Sequence, residues 1–65
     1  LYLKVDTIFT HVSERIQEFP SAAPAIAEMA YAVLRLQGGT PRKEYDSFQS
    51  QMKQLVTEAV FLASS

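Results

Sequence analysis

The only histidine in the sequence, His11, is the residue best suited to acid–base or metal chemistry, and two glutamates stand close to it. Glu14 and Glu18 follow at helical spacing, so one helix would bring all three side chains onto neighbouring turns. A working site needs several groups that converge in a pocket, and a zinc site needs three or four ligands. One histidine and two glutamates on the polar side of a helix are more typical of a solvated surface. We therefore expect no catalytic residue, no metal site and no cofactor.

The hydroxyl side chains of the sequence also show no arrangement that would make one of them a catalytic nucleophile. A catalytic hydroxyl needs a base within hydrogen-bonding reach and a third group that orients the base. No such spacing surrounds the candidate hydroxyls, which are those of Thr10, Ser13, Ser21 and Ser47. The sequence therefore predicts a protein that is not an enzyme and has no small-molecule substrate.

The segment 37–41 predicts a tight helical hairpin. Gly38 and Gly39 have no Cβ and can adopt the left-handed conformation that ends a helix. Thr40 is expected to cap the next helix, and Pro41 suits its first turn. The glycine pair lacks the lysine and the spacing of a phosphate-binding loop, so helix termination is the better interpretation.

The first helix is predicted over about 2–19. Apolar residues recur there at alternating spacings of three and four, which places them on one face of a helix. This face consists of Tyr2, Val5, Phe9, Val12, Ile16 and Phe19, widened by Leu1 and Ile8. We expect it to be buried.

The second helix is predicted over about 22–37, after Pro20 interrupts the first. Ser21 is expected to cap it, and Pro24 falls in its first turn. Its sequence is apolar almost all the way round, and a helix of that kind is buried on most sides. We therefore expect the second helix to pack between the first and the third.

The third helix is predicted over about 41–63, with one apolar stripe. The stripe repeats the three–four spacing at Tyr45, Phe48, Met52, Leu55, Ala59 and Leu62. Core positions across the three helices are expected to include Tyr2, Phe9, Ile26, Val33, Phe48 and Leu55. The prediction is an all-α fold, a small three-helix module built on an antiparallel helical hairpin, with residues 1–65 as a single domain.

Some apolar residues exceed what a helix–helix seam needs, and these are the candidate partner-binding residues. Phe61 falls on the same side of the third helix as Gln54, Thr57 and Glu58, which are polar. Exposed apolar patches on small chains mark interfaces. The partner-binding set is Tyr31, Leu34, Val56, Val60 and Phe61; for Tyr31, Leu34, Val60 and Phe61 intramolecular burial remains an equal alternative.

Composition favours a protein partner over a nucleic acid or a membrane. Six Lys and Arg residues against seven Asp and Glu residues give a formal charge of -1, with the signs interspersed. Nucleic-acid and anionic-membrane surfaces need a basic patch, and a membrane span needs about 20 apolar residues. A 65-residue chain without cysteine gains stability most readily from a partner. We expect a cytoplasmic location, and the absence of an initial methionine suggests a fragment of a longer chain.

The second half of the chain resembles the small type III secretion co-chaperones of the YscE and PscE type. The matching residues are Gly38, Gly39, Tyr45, Phe48, Gln49, Lys53 and Leu55, followed by Ala59, Val60, Phe61 and Leu62. The resemblance implies a helical hairpin that serves as a cytoplasmic adaptor. Its implied partner is a tetratricopeptide-like, helical-repeat chaperone, and the pair would keep a needle subunit soluble until export.

Two other function classes remain open. The clean heptad patterns also fit a homo-oligomerisation domain in which hairpins pair into a symmetric bundle. A small enzyme or metal protein would depend on His11. Oligomeric state in solution separates self-association from binding to a different protein.

Overall fold

The structure, a computed structural model, describes residues 3–64. Within that range the chain forms three α-helices and no strand: α1 Val5–Glu18, α2 Ala23–Gln37 and α3 Arg42–Ser64. A single 3₁₀ turn, Pro20–Ala22, joins α1 to α2. The predicted all-α, three-helix fold is confirmed. Tyr2, which the sequence placed on the first apolar stripe, lies outside the described residues.

The helices run up, down and up, and each contacts the other two. The core that they enclose is entirely apolar, because the buried residues of the described chain include no polar or charged side chain. It consists of Ile8, Val12, Ile16, Ala23, Ala27, Ala30, Leu34, Phe48, Met52 and Ala59. Phe48 is at its centre: its ring makes edge-on contacts with Phe9 at 6.2 Å and with Tyr31 at 5.6 Å between ring centroids.

The break between α1 and α2 follows from proline chemistry. Pro20 has no amide hydrogen and opens the 3₁₀ turn, while Phe19 before it leaves helical geometry at φ -131° and ψ 69°. Pro24 occupies the first turn of α2, as predicted. The predicted cap by Ser21 is wrong, because Ser21 is inside the 3₁₀ turn and Ala22 is the capping residue, without a side-chain hydrogen bond.

The hairpin between α2 and α3 depends on two glycines. Gly38 and Gly39 have φ of 65° and 73°, which confirms the predicted positive values. The Gly38 N–H donates to the Leu34 carbonyl at 3.2 Å and ends α2. With ψ at -178°, however, Gly38 adopts an extended positive-φ conformation that glycine alone tolerates, rather than the left-handed helical one.

The predicted cap by Thr40 is also wrong. The helix α3 starts at Arg42, so Pro41 takes the capping position, and its carbonyl accepts the Tyr45 N–H at 3.0 Å. Thr40 is then one residue too early for its side chain to reach the free amides of the first turn. Its hydroxyl oxygen is buried without a hydrogen-bond partner.

The buried stripe of α1 is rotated from the predicted one. Ile8, Val12 and Ile16 face the core, and Phe9 is only partly buried. Phe19, at the end of the predicted stripe, is 56% exposed because the helix stops at Glu18 before it. Spacing alone does not distinguish two overlapping apolar stripes on one helix.

The prediction that α2 is buried on most sides, between its neighbours, is wrong. Its inward face is built mainly from alanines, which allow α1 and α3 to approach the same side of it closely. The opposite side therefore remains uncovered. Met29 is 69% exposed, Leu36 is 88% exposed, and Val33, which was expected in the core, is 39% exposed.

Candidate functional site

The C-terminal part of α3 projects past the rest of the bundle. The helix has 23 residues, against 14 and 15 in its two neighbours. At 1.5 Å per residue it is about 34 Å long, roughly 12 Å longer than either neighbour. Ala59 is the last residue of α3 that is buried, and the next two, Val60 and Phe61, are 41% and 73% exposed. This end of α3 is the first candidate interaction surface.

Phe61 is the prominent residue of that surface. The helical period places it on the side of Gln54, Thr57 and Glu58, all of them exposed, and away from the buried Phe48–Met52–Ala59 face. Its ring makes no aromatic contact within the described residues. A large aromatic side chain on the polar side of a helix therefore faces solvent.

Two of the predicted partner-binding residues lie on the side of α3 toward the bundle. Val56 is partly buried against the core, while Val60 is at its solvent-facing margin. Together with Phe61 they line the part of α3 that follows residue 55. These three residues belong to one segment of the helix, 56–61, which is called the α3 end below, although Val56 and Phe61 lie on different sides of it.

The other two predicted partner-binding residues belong to the interior. Leu34 is only 2% exposed, so its assignment as a contact residue is corrected: it packs in the core. Tyr31 is half-buried in the seam between α2 and α3, with its ring 6.2 Å from that of Tyr45. Burial raises the pKa of the Tyr31 phenol above 10.0, and the nearby Tyr45 and Glu28 act in the same direction.

A second candidate surface, an apolar groove of about 520 Å³, runs between α1 and α2. Ile8, Val12 and Ala30 line its floor, and Met29 and Val33 form its α2 side. The remaining lining residues are Leu3, His11, Arg15, Phe19, Ala22 and Ile26. Nearly all of the surface that lines the groove is apolar, so it suits an apolar helix face better than a polar small molecule.

The sequence prediction missed this groove because it assigned α2 to the interior. The signal was present in the spacing of the exposed residues Met29, Val33 and Leu36, which are separated by four and three positions. Periodicity shows that a helix has an apolar side. It does not show whether the same chain covers that side.

A larger and more polar cleft, of about 830 Å³, separates the first halves of α1 and α3. Its hydroxyl groups already have partners: Thr10 donates to the Asp6 carbonyl at 3.0 Å, and Ser47 accepts from the Gln51 amide at 3.1 Å. His11 does not line the cleft. The carboxylates of Asp6 and Glu44 also line the cleft, but neither forms a hydrogen bond with a hydroxyl within the described residues.

His11 lies on the exposed side of α1. Its Nδ1 is 4.0 Å from Glu14 Oε1, whereas Glu18 pairs with Arg15 instead. Across residues 3–64, no group of three His, Cys, Asp or Glu residues could hold a metal ion. The three residues therefore belong to two separate surface pairs, His11–Glu14 and Arg15–Glu18, rather than to one site.

The accessible surface of the chain is large for its mass. It amounts to 4757 Å² for a 7.3 kDa chain. A folded monomer of this mass exposes about 4,200 Å² on average.

Comparison with protein-family models found no matching family, and comparisons with curated proteins and with solved structures found no match. No helix in residues 3–64 combines the length and apolarity that crossing a bilayer requires. The fold and its surfaces define a small all-α module that exposes apolar residues on two separate surfaces, the α3 end and the α1–α2 groove.

Proposed function

We propose that the protein is a non-catalytic protein–protein interaction module that binds its partner through the α3 end. The observation that carries this proposal is the position of Phe61, 73% exposed on a helix that extends past its own bundle. Aromatic residues of this kind anchor interfaces when a partner supplies a pocket. Burial of the Phe61 ring is worth about 2–3 kcal/mol, or a factor of roughly 30 to 150 in affinity.

The partner that we propose is a helical-repeat chaperone of the tetratricopeptide type, with the protein acting as a cytoplasmic type III secretion co-chaperone. Support for this comes from the resemblance of the second half of the chain, whose residues include Tyr45, Phe48 and Lys53. Helical repeats form extended concave surfaces that accept a protruding helix. A marginally stable module gains stability when such a partner covers its apolar surface.

Calorimetric titration of the chain into a purified needle-subunit chaperone of this type tests the proposal. Wild-type protein should bind at micromolar concentration or tighter, and Phe61→Ser should weaken binding at least about tenfold. Gln54→Ser is the matched control, since Gln54 is exposed on the same side of α3 but is polar. Its affinity should equal that of the wild type.

Helical circular dichroism of the free chain should be the same for all three proteins, because neither substitution touches the core. Absence of wild-type binding would reject the chaperone as the partner. Equal binding by wild type and Phe61→Ser would reject the α3 end as the contact surface.

A second candidate function, self-association, is favoured by a separate observation. The exposed side of α2 carries the large apolar side chains of Met29 and Leu36. They form a surface separate from the α3 end. Self-association through α2 leaves the α3 end accessible, so the two functions are compatible.

A further inference from the structure

Met29 and Met52 are the only sulfur-containing residues of the sequence, which has no cysteine. The fold gives them opposite environments: Met29 is 69% exposed on α2, whereas Met52 is 0% exposed in the core. Both side chains are thioethers of the same intrinsic reactivity, so access to a dissolved reagent decides how fast each one reacts. The fold therefore directs sulfur oxidation to Met29.

The surroundings of Met29 give its oxidation a consequence. Met29 and Val33 form the α2 side of the α1–α2 groove, and nearly all of the surface that lines this groove is apolar. A thioether is apolar, whereas a sulfoxide is polar and accepts hydrogen bonds from water. Oxidation of this one sulfur atom places a polar group on the wall of an otherwise apolar groove.

The fold tolerates a sulfoxide at Met29 but not at Met52. Met29 is outside the buried core, so its oxidised side chain would remain in contact with water and displace no packed residue. Met52 is fully buried in an entirely apolar core, together with Ile16 and Phe48, where a sulfoxide oxygen would lack a hydrogen-bond partner. Packing of the three helices thus shields the one methionine whose oxidation would disrupt them.

We propose that Met29 is a reversible redox-modification site, oxidised by peroxides, and that its oxidation makes the wall of the α1–α2 groove polar. The sulfur lone pair attacks one oxygen of hydrogen peroxide, and the O–O bond breaks as the S–O bond forms. The other oxygen takes the proton of the first and leaves as water. Sulfur loses the two electrons that the peroxide gains, so no further reactant is needed.

The modification is reversible because methionine sulfoxide reductases return the sulfoxide to the thioether. Two thiols supply the electrons and form a disulfide, and the sulfoxide oxygen leaves as water. The proposal does not depend on partner binding by the α3 end, since Met29 and Phe61 are on different helices.

Mass spectrometry of tryptic peptides, after hydrogen peroxide treatment of the native chain, tests the selectivity. Trypsin cleaves after Lys and Arg and places the two methionines in separate peptides, 16–35 and 44–53. Met29 should gain one oxygen atom at least about tenfold faster than Met52. In guanidinium chloride that unfolds the chain, the two residues should react at equal rates, because the difference arises from the fold.

Hydrophobic-interaction chromatography of the native chain tests the effect on the groove. Peroxide-treated wild type should elute earlier than untreated wild type, and reduction by a mixture of both methionine sulfoxide reductases should restore its elution. Met29→Gln, with a polar side chain of similar length, should elute early without treatment. Met29→Leu is the matched control, since its apolar side chain cannot be oxidised and its elution should not change. Helical circular dichroism should be equal in all of these proteins.

Equal oxidation of Met29 and Met52 in the native chain would overturn the assignment of the site, and so would protection of both. Unchanged elution of oxidised wild type would show that the groove stays apolar and would reject the proposed effect. Earlier elution of treated Met29→Leu would assign that effect to another residue. Loss of helical circular dichroism on oxidation of Met29 alone would contradict its tolerance by the fold.

Discussion

The side-chain amide of Gln37 holds the main chain of Leu3 through two hydrogen bonds. Gln37 Nε2 donates to the Leu3 carbonyl at 2.8 Å, and the Leu3 N–H donates to Gln37 Oε1 at 3.2 Å. The last residue of α2 thereby fixes the segment that leads into α1, 34 positions earlier in the chain. This pair closes the end of the bundle where the α1–α2 groove begins at Leu3.

Gln37→Ala is expected to lower the free energy of unfolding by about 1 kcal/mol, because two solvent-accessible hydrogen bonds are lost. Urea unfolding measures the change. Gln54→Ala is the control, since no side-chain hydrogen bond of Gln54 occurs in the described part of the chain. Equal stability of Gln37→Ala and Gln54→Ala would show that the Leu3 contact contributes nothing in solution.

Substitution of Gly38 should cost about 1–3 kcal/mol whether the new residue is Ala or Asn. Asn is tolerated in left-handed helical geometry, but the Gly38 conformation of φ 65° and ψ -178° lies outside that region. Apart from the atoms of Gly38 and its two chain neighbours, no atom lies within 4 Å of a Cβ placed at this position, so the cost is one of backbone conformation.

A chain synthesised with D-alanine at position 38 provides the control for this conformational cost. Positive φ is favourable for a D-residue, so its thermal midpoint should match that of wild type. If Gly38→Asn were as stable as wild type while Gly38→Ala was not, the turn would be left-handed helical in solution.

Phe48→Ala is expected to lower the free energy of unfolding by about 3–5 kcal/mol, because the Phe48 side chain is 1% exposed and contacts Phe9 and Tyr31. That loss is comparable with the whole stability of a domain of this size, about 3–10 kcal/mol. Circular dichroism should therefore show a largely unfolded chain. Phe61→Ala removes the same side chain from an exposed position and should leave the spectrum unchanged; a similar loss in both variants would place Phe61 in the core.

Alkaline conditions should destabilise the fold through Tyr31. Burial raises the pKa of its phenol above 10.0, so the folded chain disfavours the ionised form. Stability is thus present in full below pH 10.0 and declines as pH rises through the raised pKa. Urea unfolding at increasing pH should show a smaller decline for Tyr31→Phe than for wild type. Identical declines would mean that Tyr31 ionises equally well in the folded and unfolded chains.

The helices and the turns were predictable because local chemistry determines them. Pro20, Pro24 and the Gly38-Gly39 pair end or begin helices through their own backbone restrictions, whatever surrounds them. The α3 stripe was predictable as far as Ala59, since Phe48 and Met52 have no competing apolar side beside them, but Leu62, the last residue of the predicted stripe, is 67% exposed. At these positions the residue type itself restricts the backbone, so the local structure can be predicted from the sequence.

Burial was less predictable, because it depends on where neighbouring helices lie. On α2, an apolar side made of alanines is buried while Met29 and Leu36, with larger side chains, remain exposed. The larger residues would have been chosen for the core on hydrophobicity alone. Leu34 was wrongly assigned to a partner surface for the same reason. The sequence does not show on which side of α2 the helices α1 and α3 pack.

The two predicted helix caps were wrong for a different reason. Ser21 and Thr40 both have the residue type that caps helices, but each is one residue before the position that the helix start requires. Cap geometry changes with a shift of a single residue, whereas sequence patterns define helix ends only to within a residue or two.

The central claim, that the α3 end is the partner-binding surface, is tested most directly by amide hydrogen exchange with and without the purified needle-subunit chaperone. The account predicts that the complex slows exchange from Val56 to Phe61 more than in α1, because a bound partner covers only the α3 end. Protection confined to α1 and the exposed side of α2, with unchanged exchange around Phe61, would contradict it.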